Sequence, residues 1–229
     1  MFFGKIVYGS VVVALGLFAA GCAADSSDPA DVGDGEAVAE TAAPLSVDHT
    51  SVDTVDVWDS GNINSLSAWM ALKCSTTYRG GNDNYMLTGF TAFKEPTINF
   101  DNFIGKLSGT CTDYTTAGVQ TGVPETDNIF TGNWRAGGLD VSVPSNEVPI
   151  GVKLHVYGGA SSYVKDIAIA STVATFGGST TWSSYATGYA GDVVSATCAP
   201  GKVMTGLQLK YNMSNGKIQH VQMFCRSFS

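Results

Sequence analysis

Cysteines, aromatic rings and carboxylates are the residues of this chain that can do chemistry, and their spacing sorts them into roles. Four of the five cysteines fall into framing pairs, Cys74 with Cys111 and Cys198 with Cys225, and Cys22 is left over. No C-x-x-C motif or histidine cluster accompanies them, so the sequence implies no metal and no cofactor. His49, His155 and His220 are scattered, with no nucleophile or acid patterned beside them, which points to solvated strand positions rather than a triad. No G-x-S-x-G, H-E-x-x-H, P-loop or EF-hand pattern occurs. Asp101, Asp113, Asp127, Asp140, Asp166 and Asp192 offer carboxylates for glycoside hydrolysis, which needs two of them roughly 5–10 Å apart.

The aromatic residues suggest recognition instead. Trp58, Trp134 and Trp182 recur at matched places, as core wedges or as stacking platforms for sugar rings. Trp69 breaks that pattern and is the better candidate for an exposed ring. Tyr157, Tyr163, Tyr185 and Tyr189 flank Gly- and Ser-rich loops, a composition suited to hydroxyl-rich ligands when a rigid scaffold holds the loops.

What positions these residues is a unit used three times. The third copy runs Cys198, Gly206-Leu-Gln-Leu, then Ile218, Val221, Met223 and Cys225. The first has Cys74, Gly89-Phe90, then Ile104, Leu107, Gly109 and Cys111. The second has Gly151-Val-Lys-Leu, then Val164, Ile167, Ile169 and Ser171. Self-similarity of this kind marks a supersecondary unit that needs its neighbours to bury its apolar face. After each glycine the residues alternate, as in Leu207, Leu209 and Tyr211 against Gln208 and Lys210, which predicts strands packed on one side. The closing run also alternates, except for a step of three from Ile218 to Val221, which predicts a bulge. Asn212–Gly216 and Gly158–Ser162 supply turn residues, so each strand pair reads as a hairpin. Four cysteines allow three connectivities, and the repeat symmetry selects Cys74–Cys111 and Cys198–Cys225, each stapling the start and end of one copy. Copy two has Val143 at the opening position and Ser171 at or next to the closing one, and cannot bridge.

The 229 residues are 44% hydrophobic and 14% charged, with 27 glycines, which fits a turn-rich β protein. Much of the net charge of −8 lies in one tract from Asp25 to Glu40, and the remainder is near neutral. With no basic patch, nucleic acid is excluded as an expected partner. At the N-terminus, residues 1–21 carry one charge, Lys5, and an apolar run too short to favour a spanning helix, closing on Ala19-Ala-Gly-Cys22. This resembles the bacterial lipoprotein signal, with Ala19 where that signal prefers Leu. The resemblance implies cleavage before Cys22, lipidation of its sulfur and export to a bacterial membrane, at the outer membrane or cell surface. The leftover cysteine agrees. Residues 22–46, acidic and without an aromatic ring, read as a flexible linker spanning about 25–30 Å.

The repeat itself, Cys-x-x-Gly-x-x-x-x-Gly-[Leu/Phe] followed by [Leu/Ile]-x-x-[Ile/Val]-x-[Leu/Met]-x-Cys, is similar to that of the vitelline membrane outer layer protein I family. Copy three matches best, through Cys198, Gly201, Gly206, Lys210 and Cys225. The resemblance implies an all-β fold, a β-prism of three Greek-key sheets with pseudo-threefold symmetry, over residues 47–229, with repeats at about 52–114, 130–173 and 178–229. It also implies an acidic pair in the loop before the closing strand, of which Asp101 is the clear survivor and the weak catalytic candidate. Three functions follow as expectations: a non-catalytic, lectin-like binder of a glycan or cell-envelope component, a glycan-acting enzyme on chitooligosaccharide or peptidoglycan, or a purely structural envelope protein. Trp69, Tyr157, Tyr163, Tyr185 and Tyr189 are the expected ligand-binding residues for the first of these.

Overall fold

The computed structural model describes residues 45–61, 67–74, 84–95, 103–131, 138–158 and 162–229. The signal segment, Cys22, nearly all of the linker, Asp101 and Trp134 lie outside these. Among the described residues twelve strands form: β1 (Asp53–Asp59), β2 (Ser67–Lys73), β3 (Met86–Glu95), β4 (Phe103–Tyr114), β5 (Gln120–Thr131), β6 (Gly138–Ser142), β7 (Glu147–Tyr157), β8 (Tyr163–Val173), β9 (Thr181–Trp182), β10 (Asp192–Thr197), β11 (Lys202–Asn212) and β12 (Ile218–Ser227).

They form three four-stranded sheets, ordered β5-β4-β3-β6, β10-β7-β8-β9 and β1-β12-β11-β2. In the first and second internal sheets three consecutive strands are neighbours and the fourth returns beside the first, which is a Greek key. The terminal sheet has the same order if β11 is counted first, β12 second, β1 third and β2 fourth. The fold is therefore a β-prism whose chain begins inside one of its three keys. The sequence repeats do not each make one sheet: β1 and β2, placed by spacing in the first copy, pair with the hairpin of the third. Leu45 and Ser46, expected in the linker, hydrogen-bond to Thr116 and to Ser229 and so belong to the domain.

Each hairpin carries two bulges at equivalent positions. One falls just before Gly89, Gly151 and Gly206. The other falls in the closing run at the step of three, as the spacing predicts. The bulge carbonyl, of Thr88, Ile150 or Thr205, accepts the N–H of Val143, Cys198 or Cys74, the residue that follows the fourth strand of that sheet. The fourth strand then passes so close that a Cβ on the glycine would sit 2.3–2.7 Å from a backbone oxygen, of Val141, Ala196 or Leu72. Glycine is required there by packing.

Inside, equivalent side chains meet from all three sheets: the cross-strand pairs Ala92 and Leu107, Leu154 and Ile167, and Leu209 and Val221 are each at most 1% exposed. The disulfides form between the paired cysteines, with Cα atoms 5.5 and 5.7 Å apart. They span sheets, however. Cys74 leaves β2 of the terminal sheet to bond Cys111 on β4, and Cys198 leaves β10 to bond Cys225 on β12. The remaining junction, between the two internal sheets, has Val143 and Ser171 at the corresponding places, both buried. Trp58 packs against the main core, and Trp182 against a second cluster around Phe228, Val47 and Met86, so both serve as wedges.

Candidate functional site

At one end of the prism the closing strands of the three hairpins begin close together. Phe103, Tyr163 and Lys217 hold corresponding places in the three hairpins and converge there. The Lys217 ammonium lies 4.2 Å from the Tyr163 ring centre and 5.8 Å from that of Phe103, and the two rings meet edge-on at 5.9 Å. Tyr163, expected among the ligand-binding residues, is only 2% exposed. Its burial comes from the convergence of three sheets, which local spacing does not encode. Tyr157 stacks on it at 5.2 Å and is itself half-exposed.

On the outer face of the second internal sheet the loop between β9 and β10 folds back onto β7 and β8. Asp166 is fully buried and accepts hydrogen bonds from the N–H groups of Ile167, Thr187 and Tyr189, at 2.8, 2.7 and 3.1 Å. This carboxylate is a loop clamp on a strand, not a loop acid available for catalysis. His155, expected on a solvated face, is covered by the Tyr185 ring stacked at 3.7 Å, and its Nδ1 bonds the Tyr189 carbonyl. The Lys153 ammonium sits over Trp182 and Tyr185 at 4.6 and 5.2 Å, and Lys94 from the neighbouring sheet reaches over Tyr189 at 5.0 Å. Burial, and secondarily the Asp166 charge, raise the Tyr185 and Tyr189 phenols above their ordinary value, so both stay neutral and can donate.

The outer face of the terminal sheet is different. Cross-strand pairing lines up Trp69, Lys210, His220 and Asp59 in one row, and Ala71, Gln208, Gln222 and Asp56 in the next. Trp69 on edge strand β2 stands 45% exposed, with its ring 5.0 Å from His220 and the Lys210 ammonium 5.6 Å from its centre. His220 is buried, against the expectation of a solvated face, because Trp69 and the acids of β1 cover it. Its Nε2 lies 2.8 Å from Asp56, which also accepts from the Gln222 amide at 2.6 Å. The His220 hydrogen bond, then that of Gln222, holds the Asp56 carboxyl below its ordinary value. Gln208 donates to Gln222. The arrangement is an immobilised, half-exposed indole beside a cation, carboxylates and amides.

The first internal sheet presents an open cleft of about 380 Å³ on its outer face. Hydroxyls line it: Thr91 on β3, Thr110 and Thr112 on β4, Thr126 on β5 and Ser142 on β6, with Thr88 and Gln120 at one side and Asp140. None of the aromatic residues expected to bind ligand lines this cleft, so Trp69 and the tyrosines are not gathered into it. Nothing in the sequence marks these threonines singly, because Thr is an ordinary strand residue. A signal was present in the alternation of Ser108, Thr110 and Thr112, with Asp140 and Ser142, on the side opposite the apolar positions. Among the described residues Asp140 is the one carboxylate lining it, whereas glycoside hydrolysis takes two. Among the described residues no group of three His, Cys, Asp or Glu side chains is placed to hold a metal.

No family profile matches this chain, and no curated protein matches it in sequence. Among solved structures its fold is similar to that of Calystegia sepium agglutinin, with a TM-score of 0.51 and 11% identity over 77% of this chain and 97% of that one. It is similar also to the Calsepa lectin in complex with a biantennary N-glycan, with a TM-score of 0.51 and 10% identity over 77% of this chain and 97% of that one. At such identities the likeness concerns architecture, and it agrees with the all-β prism of three Greek-key sheets found in this chain.

Proposed function

We propose that this chain is a glycan-binding β-prism protein related to the vitelline membrane outer layer protein I family, exported and held at a bacterial membrane through a lipid on Cys22. The observation that carries the reading is Trp69, a large ring left half in solvent on a polar sheet face and fixed by Lys210 and His220. A sugar offers an apolar C–H face and a rim of hydroxyls, which an indole surrounded by Asp56, Asp59, Gln208 and Lys210 can meet on both counts. The fold likeness to agglutinins supports the same reading. A glycan array probed with the full-length chain in detergent, alongside incubation with chitin and peptidoglycan fragments followed by mass spectrometry, tests it. Binding without turnover is expected. Turnover would favour a glycan-acting enzyme, and neither binding nor turnover would favour a structural envelope role.

A further inference from the structure

We infer that the threonine-lined cleft of the first internal sheet is a second binding site, for a neutral sugar, an inference that rests on the glycan-binding reading for its ligand class but on different residues. Six residues that carry hydroxyls line it, Thr88, Thr91, Thr110, Thr112, Thr126 and Ser142, with Thr88 and Thr112 the most deeply set at 3% exposed. Each can donate once and accept twice, and so can a sugar hydroxyl, which makes such a surface adaptable to a polyol. Several are pre-oriented. Thr88 and Thr112 share a hydrogen bond of 2.7 Å, and Thr91 donates to one Asp140 oxygen at 2.5 Å. The second oxygen of Asp140 offers a carboxylate acceptor, and hydrogen bonds to carboxylates are the stronger kind for ligand hydroxyls. Gln120, at one side of the cleft, is held in place by its amide N–H groups, which donate to the carbonyls of Val143 and Pro144, both at 3.1 Å.

The charge pattern selects the class. Among the described residues no Lys, Arg or His lines the cleft, and the one formal charge they bring to it is negative. An anionic sugar, phosphate or sulfate would meet a carboxylate with no compensating cation, so a neutral ring is the ligand that loses least. A volume of about 380 Å³ lies within the range of small-molecule sites. Gly89 supplies part of the floor, since any side chain there would strike the Val141 carbonyl, and the ligand can approach the sheet backbone directly.

The test is an amide NMR titration of the isotope-labelled full chain in detergent with glucose, mannose, galactose and N-acetylglucosamine, and separately with N-acetylneuraminic acid. At least one neutral sugar should give saturating shifts at Gly89, Thr91, Thr110 and Ser142, with N-acetylneuraminic acid at least tenfold weaker. Asp140→Ala should weaken that binding at least tenfold, and Thr126→Trp, which fills the cleft from an exposed strand position, should abolish it. Trp69→Ala should leave it unchanged. Shifts confined to the Trp69 face would overturn the cleft while sustaining glycan binding. Preference for the anionic sugar, indifference to both cleft substitutions, or no shifts with any sugar would overturn it outright.

Discussion

The two disulfides and the empty third position make a quantitative test of the pseudo-threefold reading. Val143 donates its N–H to Thr88 as Cys74 does to Thr205 and Cys198 does to Ile150. Ser171 pairs with Pro149 as Cys111 pairs with Leu87 and Cys225 with Met204. Val143→Cys with Ser171→Cys should therefore form a third inter-sheet disulfide without backbone movement, since the native pairs hold their Cα atoms 5.5 and 5.7 Å apart. Closing a loop of about 28 residues removes roughly 3.6 kcal/mol of unfolded-state entropy. Against this, Ser171 loses its 2.5 Å hydrogen bond to Glu147, about 1 kcal/mol, and Val143 loses a little buried apolar surface. The net is about 2 kcal/mol, or about 4–8 °C in Tm for a domain of this size. Non-reducing mass spectrometry and thermal melts of the oxidised double variant against wild type decide the matter. Two persistent free thiols, or an oxidised form melting below its reduced form, would refute the positional equivalence.

Other outcomes follow from the same structure. Gly151→Ala would place a Cβ 2.3 Å from the Ala196 carbonyl, so urea unfolding should show a loss of about 3 kcal/mol, at the upper end of overpacking effects. The Asp56 carboxyl sits below its ordinary 3.8 because His220 and Gln222 hydrogen-bond its charged form. Its depressed folded value means that the stability it adds is present above the unfolded value and lost as pH falls through the folded one. His220→Gln should return that carboxyl toward 3.8 in a carbon-13 NMR titration; an unmoved value would remove His220 as the cause. Cys22→Ser should shift the protein from the membrane to the soluble fraction on cell fractionation, and equal retention would refute lipid anchoring.

Much of the fold was legible because it is written locally and three times. The step of three at Ile104, Val164 and Ile218 marks the bulges, and the cysteines mark one recurring junction. Which strands share a sheet was not legible. β1 must pair with β12 at the far end of the chain, and nothing near Val55 or Val57 names that partner. For the same reason the disulfides read as staples within repeats, whereas they join neighbouring sheets. The candidate site was visible in part. Trp69 stood out because it broke the pattern. The burial of Tyr163 and of His220 depends on other segments arriving over them, and period-two alternation carries no information about that. The hydroxyl cleft is legible only once β3, β4, β5 and β6 are known to be neighbours.

The Trp69 face as the glycan site is tested most directly by calorimetric titration of the strongest glycan from the array into the full-length wild-type chain and into Trp69→Ala. The wild type should bind saturably, and loss of the indole should weaken binding about tenfold or more, in line with the value of a stacked aromatic and its buried area. Equal affinity in the two proteins, with unchanged folding, would contradict the assignment of the Trp69 face as the glycan site.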